Sequence, residues 1–263
     1  MGRVSPARRP VYVGIDVACA TSKRLPVCFV AAGPPLLPLT VPRHLSDRIP
    51  CGLGNQEIAA DAPFRQAAHA VAKAIHGIAD DRGWRIIRAA IDAPAAPSIA
   101  GTRACEAAIR QGGMSVFQTP TAAAWETIRA RCRAHLADGG SAAALPNANR
   151  IWMLFGFELF ASLRAWLDAE IIEVYPHAIV RALLTTCGHK STEAGYQAQL
   201  DAVSARTGWS PDALAARLKR SVPGTRDDRL DAFMCAWVAS LLARQRRAYG
   251  SAGDPHDAIW VPI

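Results

Sequence analysis

Five carboxylates stand at positions from which an element can aim them. Asp16 ends the apolar run VYVGID, Asp92 ends IIRAAID just ahead of Ala93-Pro94, and Glu173 lies within EIIEVY, which Pro176 stops. Asp228 and Asp231 lie three residues apart at the start of a long helical pattern. That spacing puts them on one helix face, where acids of a first turn are favoured by the helix dipole. Neighbouring parallel strands of an α/β sheet bring their carboxyl ends to one edge, so acids remote in sequence can meet there. Clustered carboxylates repel one another unless a cation lies between them, and all-oxygen donors select Mg²⁺ or Mn²⁺ over softer metals. Such ions activate water, hold a phosphate and stabilise a leaving oxygen, so the chemistry to expect is phosphodiester hydrolysis. Asp16, Asp92, Asp228 and Asp231 are the expected metal ligands, with Glu173 as a further catalytic acid. Taken singly, each of these acids is equally well a turn or cap residue. Glu173 could instead face solvent or Arg181, Asp227 reads as a helix cap, and His177 as a helix-start residue with local hydrogen bonds.

The elements that would carry these acids follow from the apolar pattern. Residues 11–15 form a buried strand, and 25–32 with 36–41 flank Gly33-Pro34-Pro35 as an antiparallel hairpin. Helical spacing runs from about 55 to 81 with a break at Pro63, and a fourth strand spans 84–92. A helix over 102–111 stops at Gly112-Gly113, residues 115–119 read as a strand, and helices follow at 121–136 and 151–166. After the strand 170–175 come helices near 177–186, 192–207 and 211–220, then a long one over 227–249 with Leu230, Phe233, Met234, Trp237, Val238 and Leu241 on one face. These elements predict a single domain over 1–263 with a helical insertion at about 100–168. Its sheet is mixed, the first three strands antiparallel and the fourth and fifth parallel, flanked by helices.

Composition narrows the function classes. The chain has 263 residues, 51% hydrophobic and 20% charged, and a formal net charge of +8, which attracts polyanions such as DNA or RNA. Seven scattered cysteines without a CxxC pair argue against a disulfide framework and a thiolate zinc site, and fit a reducing, cytoplasmic setting. The basic start is followed by too short an apolar run for a signal peptide. Residues 25–42 carry five prolines, which break any membrane helix there.

Six short motifs occur in order: VGIDVA at 13–18, AIDAPAAPS at 90–98, GTRACE at 101–106, IIEVYPHA at 171–178, DRLDAFMCAW at 228–237 and IWVPI at 259–263. Together they resemble domain-of-unknown-function family 429, a group regarded as nucleases of the ribonuclease H-like superfamily. The resemblance implies that fold and an acidic centre made of Asp16, Asp92, Glu173 and the Asp228, Asp231 pair. It also matches Arg103 and Glu106 to a further polar motif, with Glu106 where the family often has Asp and Asp227 where it has His. Glu57 is a further acid near the start of the first helical segment. Two other uses of the fold compete. One is a non-catalytic nucleic-acid-binding or protein-binding module. The other is an actin-like or sugar-kinase-like phosphotransferase, for which the glycine-rich phosphate and adenosine loops are lacking.

Overall fold

The computed structural model describes residues 7–17, 20–21, 23–59, 64–186 and 188–263. Strand β1 (Arg9–Asp16) is the β-branched run that begins the motif series, and its Val11, Val13 and Ile15 are wholly buried. It pairs antiparallel with β2 (Val27–Ala31), which pairs antiparallel with the short β3 (Leu37–Pro38). On its other side β1 runs parallel to β4 (Trp84–Asp92), and β4 runs parallel to β5 (Glu170–Val174). Two more strands, β6 (Arg246–Gly250) and β7 (Ala258–Pro262), extend the sheet, giving the order β3-β2-β1-β4-β5-β7-β6. This mixed α/β arrangement is the one expected from sequence and agrees with a ribonuclease H-like fold.

Helices cover both faces. Before β4 come α1 (Arg43–Ser46), α2 (Asn55–Ala59) and α3 (Phe64–Asp81); between β4 and β5 lie α4 (Ala104–Gln111), α5 (Ala122–Ala137) and α6 (Ala148–Trp166). After β5 follow α7 (Pro176–Leu183), α8 (Glu193–Thr207), α9 (Pro211–Ser221) and α10 (Arg226–Ser240). Strand alternation divides the core. Val13, Ile15, Phe29, Ala89 and Ile91 face α3 and α6, whereas Cys28, Val30, Ala90 and Ile172 face α7 to α10.

Three local expectations are corrected. Residues 115–119 form no strand; they run as an irregular segment fixed by Thr119 N–H donating to Glu106 and by the Tyr175 hydroxyl donating to the Ser115 carbonyl. The last helix ends at Ser240 instead of continuing to 249, because the Arg88 guanidinium takes up the Ala239 and Leu241 carbonyls at 2.6 and 3.2 Å and residues 246–250 join the sheet. Nor does α10 bury a single stripe: every residue from Leu230 to Ala239 is buried, since the helix lies between the sheet and α7, α8 and α9. Pro63, the expected helix break, lies outside the described residues.

Candidate metal centre

The centre is built by three constraints on β1, β4 and α10. Parallel pairing sets Asp16 beside Asp92, with Gly14 beside Ala90, so both acids emerge at the same edge and on the face turned toward α10. Gly14 then lets the helix come down. A Cβ on it would collide with the Ala232 carbonyl and the Ala236 amide, so α10 rests directly on the β1 backbone only because that position is glycine. The two ends of α10 are also tied. Thr225 and Asp228 form a reciprocal capping box at its N-terminus, and Arg88, itself paired with Glu170, binds the carbonyls at its C-terminus. One turn into this pinned helix, Asp231 faces the two strand ends.

Asp16, Asp92 and Asp231 each offer a carboxylate oxygen, and these atoms lie within 4.8 Å of one another. Asp231 is 2% exposed, whereas Asp16 and Asp92 keep an edge in solvent. Burial, then repulsion from Asp231 and Asp92, pushes Asp16 well above the ordinary carboxylate range. Burial and the Asp231 charge push Asp92 to about 8. Asp231 is raised by burial too, although Lys190 opposes the shift by donating to its Oδ2. Among the described residues no hydrogen-bond donor reaches the side chains of Asp16 and Asp92. Three converging carboxylates with one ammonium between them are under-neutralised, and their hard oxygen donors fit Mg²⁺ or Mn²⁺. A group of this kind can hold a metal ion.

Two large cavities open onto Asp92, and a third of about 40 Å³ lies between Asp92 and the Arg103–Glu173 pair. One of about 500 Å³ runs past Thr21, Asn55 and Trp152. The other, of about 520 Å³, is walled by Phe117, Tyr175, His177, His189 and Lys190 and reaches Asp231.

The remaining expected residues do other things. Asp228, near enough to raise Asp16 and Asp231 by its charge, spends its Oδ2 on the Thr225 amide at 2.8 Å and stands outside the group of three. The cap is therefore Thr225 with Asp228, not Asp227, and the pattern T-x-x-D at 225–228 was the sequence signal for it. Glu173 also stands apart. It pairs with Ile91, one residue short of Asp92, so it points to the opposite face of the sheet. There both its oxygens accept from Arg103, each at 2.7 Å, and Oε2 also accepts from Ala95 N–H at 3.1 Å. Its cation is thus Arg103 and not Arg181. Burial still outweighs Arg103 and holds Glu173 above its usual range. Glu106, fully buried, accepts from Arg103 Nε at 2.9 Å and Thr119 N–H at 3.0 Å. The motif matched at 101–106 therefore ties α4 to β5 and to the 115–119 segment. Asp257 helps by accepting from the first amides of α4. Glu57 is exposed on α2, and His177 lines the larger cavity. Lys190 had no motif to announce it, because a loop lysine acquires meaning only from what it faces.

Fold and site together define an α/β protein with ribonuclease H-like topology and a carboxylate group suited to a divalent ion. The chain belongs to the family described as protein of unknown function, DUF429, whose pattern matches residues 9–255. No curated protein and no solved structure matches it. No helix among the described residues is long and apolar enough to cross a membrane.

Proposed function

We propose that the protein is a Mg²⁺- or Mn²⁺-dependent nuclease that hydrolyses phosphodiester bonds of DNA or RNA. One observation carries the reading: a single carboxylate from each of β1, β4 and α10 converges on a group open to solvent through two cavities. Asp16, Asp92 and Asp231 would hold the metal. When bound, it would supply an activated water and offset the negative charge of the phosphate. Lys190 brings an ammonium to the same place, where a phosphate oxygen has to approach three acids. The net charge of +8 raises the local concentration of a polyanion.

A second reading has its own observation. Lys190 donates to Asp231, an ion pair that a binding module without catalysis would also use to neutralise that acid. Titrating Mn²⁺ calorimetrically and incubating the protein with single-stranded, duplex and branched DNA and RNA separates the two. The nuclease reading expects a binding isotherm and cutting that EDTA stops. An isotherm without cutting of any substrate favours the binding module.

A further inference from the structure

Of the two large cavities at Asp92, the one beneath the loop after α7 is chemically the more particular. Its volume, about 520 Å³, is that of a small-ligand site. Phe117 stands at its rim with 47% of its surface exposed, and it is the only aromatic among the large apolar side chains exposed in the described residues. Tyr175 lies on the same wall, its ring centroid 5.8 Å from that of His177, and its hydroxyl is anchored on Ser115 at 3.0 Å, so the ring is held in place. His177, His189 and Lys190 set nitrogen donors around the floor, where Asp92 and Asp231 also reach. The 115–119 segment that carries Phe117 is held in turn by the Thr119 to Glu106 bond. The cavity on the far side of Asp92 differs: among the described residues its lining holds no cationic side chain and is mostly small, with Ala20, Thr21, Ala142 and Ala143.

An exposed ring beside a fixed ring offers stacking faces for a planar base, and donors next to carboxylates suit the phosphate attached to it. A base still paired in a duplex cannot enter a recess of this size; it must first leave its stack. We infer that this cavity takes one unstacked nucleotide, with the base against Phe117 and Tyr175 and the phosphate toward Lys190 and the acids, so the protein engages unpaired strands in preference to duplex. This rests on the nuclease reading for the orientation of the phosphate, but the base pocket can be tested without any cutting.

The experiment measures binding of the full chain to fluorescein-labelled single-stranded and blunt duplex oligonucleotides of one sequence, with Ca²⁺ replacing Mg²⁺. A 2-aminopurine inserted in the single strand reports stacking. The single strand should bind at least about fivefold more tightly than the duplex, with quenching of the 2-aminopurine. Phe117→Ala should erase both, and Phe117→Trp should keep them. Equal affinities for the two forms, or an unchanged preference in Phe117→Ala, overturn the pocket. Parallel incubations with Mg²⁺ and Mn²⁺ keep the two ideas apart. Duplex cut as readily as single strand leaves the nuclease and removes the pocket, whereas preferred single-strand binding with no cutting leaves the pocket and removes the nuclease.

Discussion

Two groups of buried acids lie on opposite faces of the same sheet edge, and they are balanced differently. Around Glu173 and Glu106, one guanidinium spreads its donors over both carboxylates, backbone amides of Ala95 and Thr119 add two more bonds, and both acids are buried. Around Asp16, Asp92 and Asp231, a single ammonium touches one acid, Asp92 and Asp231 line open cavities, and Asp16 keeps an edge in solvent. Both groups carry more negative than positive charge, so charge count alone does not distinguish them. The distinction is in lone pairs and access. Where protein donors take up all but one of the oxygens, Glu106 Oε2, the acids hold elements together; where oxygens converge beside solvent with few donors, the group can hold a metal ion.

Four changes would break or sharpen that contrast. Asp16→Asn should reduce metal-dependent cutting by about 10⁴-fold, equivalent to about 5.4 kcal/mol, while the metal-free protein melts no lower than the parent because a repelling charge has gone. Cleavage rates and a melting curve check both halves. Arg103→Met should do the reverse in kind, leaving two buried acids without their cation and costing about 3–5 kcal/mol of stability in denaturant titrations.

The third test uses pH. Asp92 in the folded, metal-free chain sits near 8, above its unfolded value, so folding takes up a proton. Its stabilising contribution is complete below the unfolded value, near pH 4, and is lost as pH rises through about 8. Metal-free protein should therefore melt lower at pH 8.5 than at pH 5.5, and Asp92→Asn should flatten that slope. Added Mg²⁺ should restore the melting temperature at pH 8.5, by about 2.7 kcal/mol of stability at a hundredfold excess over its dissociation constant. The smallest effect belongs to Asp228→Ala, which removes a cap and should cost about 1 kcal/mol. It should weaken Mn²⁺ binding, read by calorimetry, less than Asp92→Asn does.

Much of this was legible beforehand, and the misses have physical causes. Asp16 and Asp92 could be placed at one sheet edge because each ends an apolar strand and parallel strands share their carboxyl edge. Asp231 followed from helical spacing. Glu173 looked the same in sequence, but its role turned on a register of one residue between β4 and β5, and the sequence of a single strand does not contain its partner's register. For Asp228, the pattern T-x-x-D at 225–228 carries the capping role, while its distance from the strand ends depends on how α10 lies on the sheet. The β6–β7 hairpin was hidden because residues 241–249 continue a plausible helical pattern. What stops that helix is Arg88, on a strand far back in the chain. Lys190 and the aromatic wall at Phe117 and Tyr175 are products of tertiary placement alone.

The seat that Gly14 provides for α10 also has a consequence in time. The strand bearing Asp16 leaves a ribosome well ahead of the helix that must settle on it, which follows more than two hundred residues later. Until then a nascent polypeptide owns two of its three acids and an uncovered apolar flank. A chain cut short before Arg226 would lack Asp231 and leave that flank bare, and should be prone to clump.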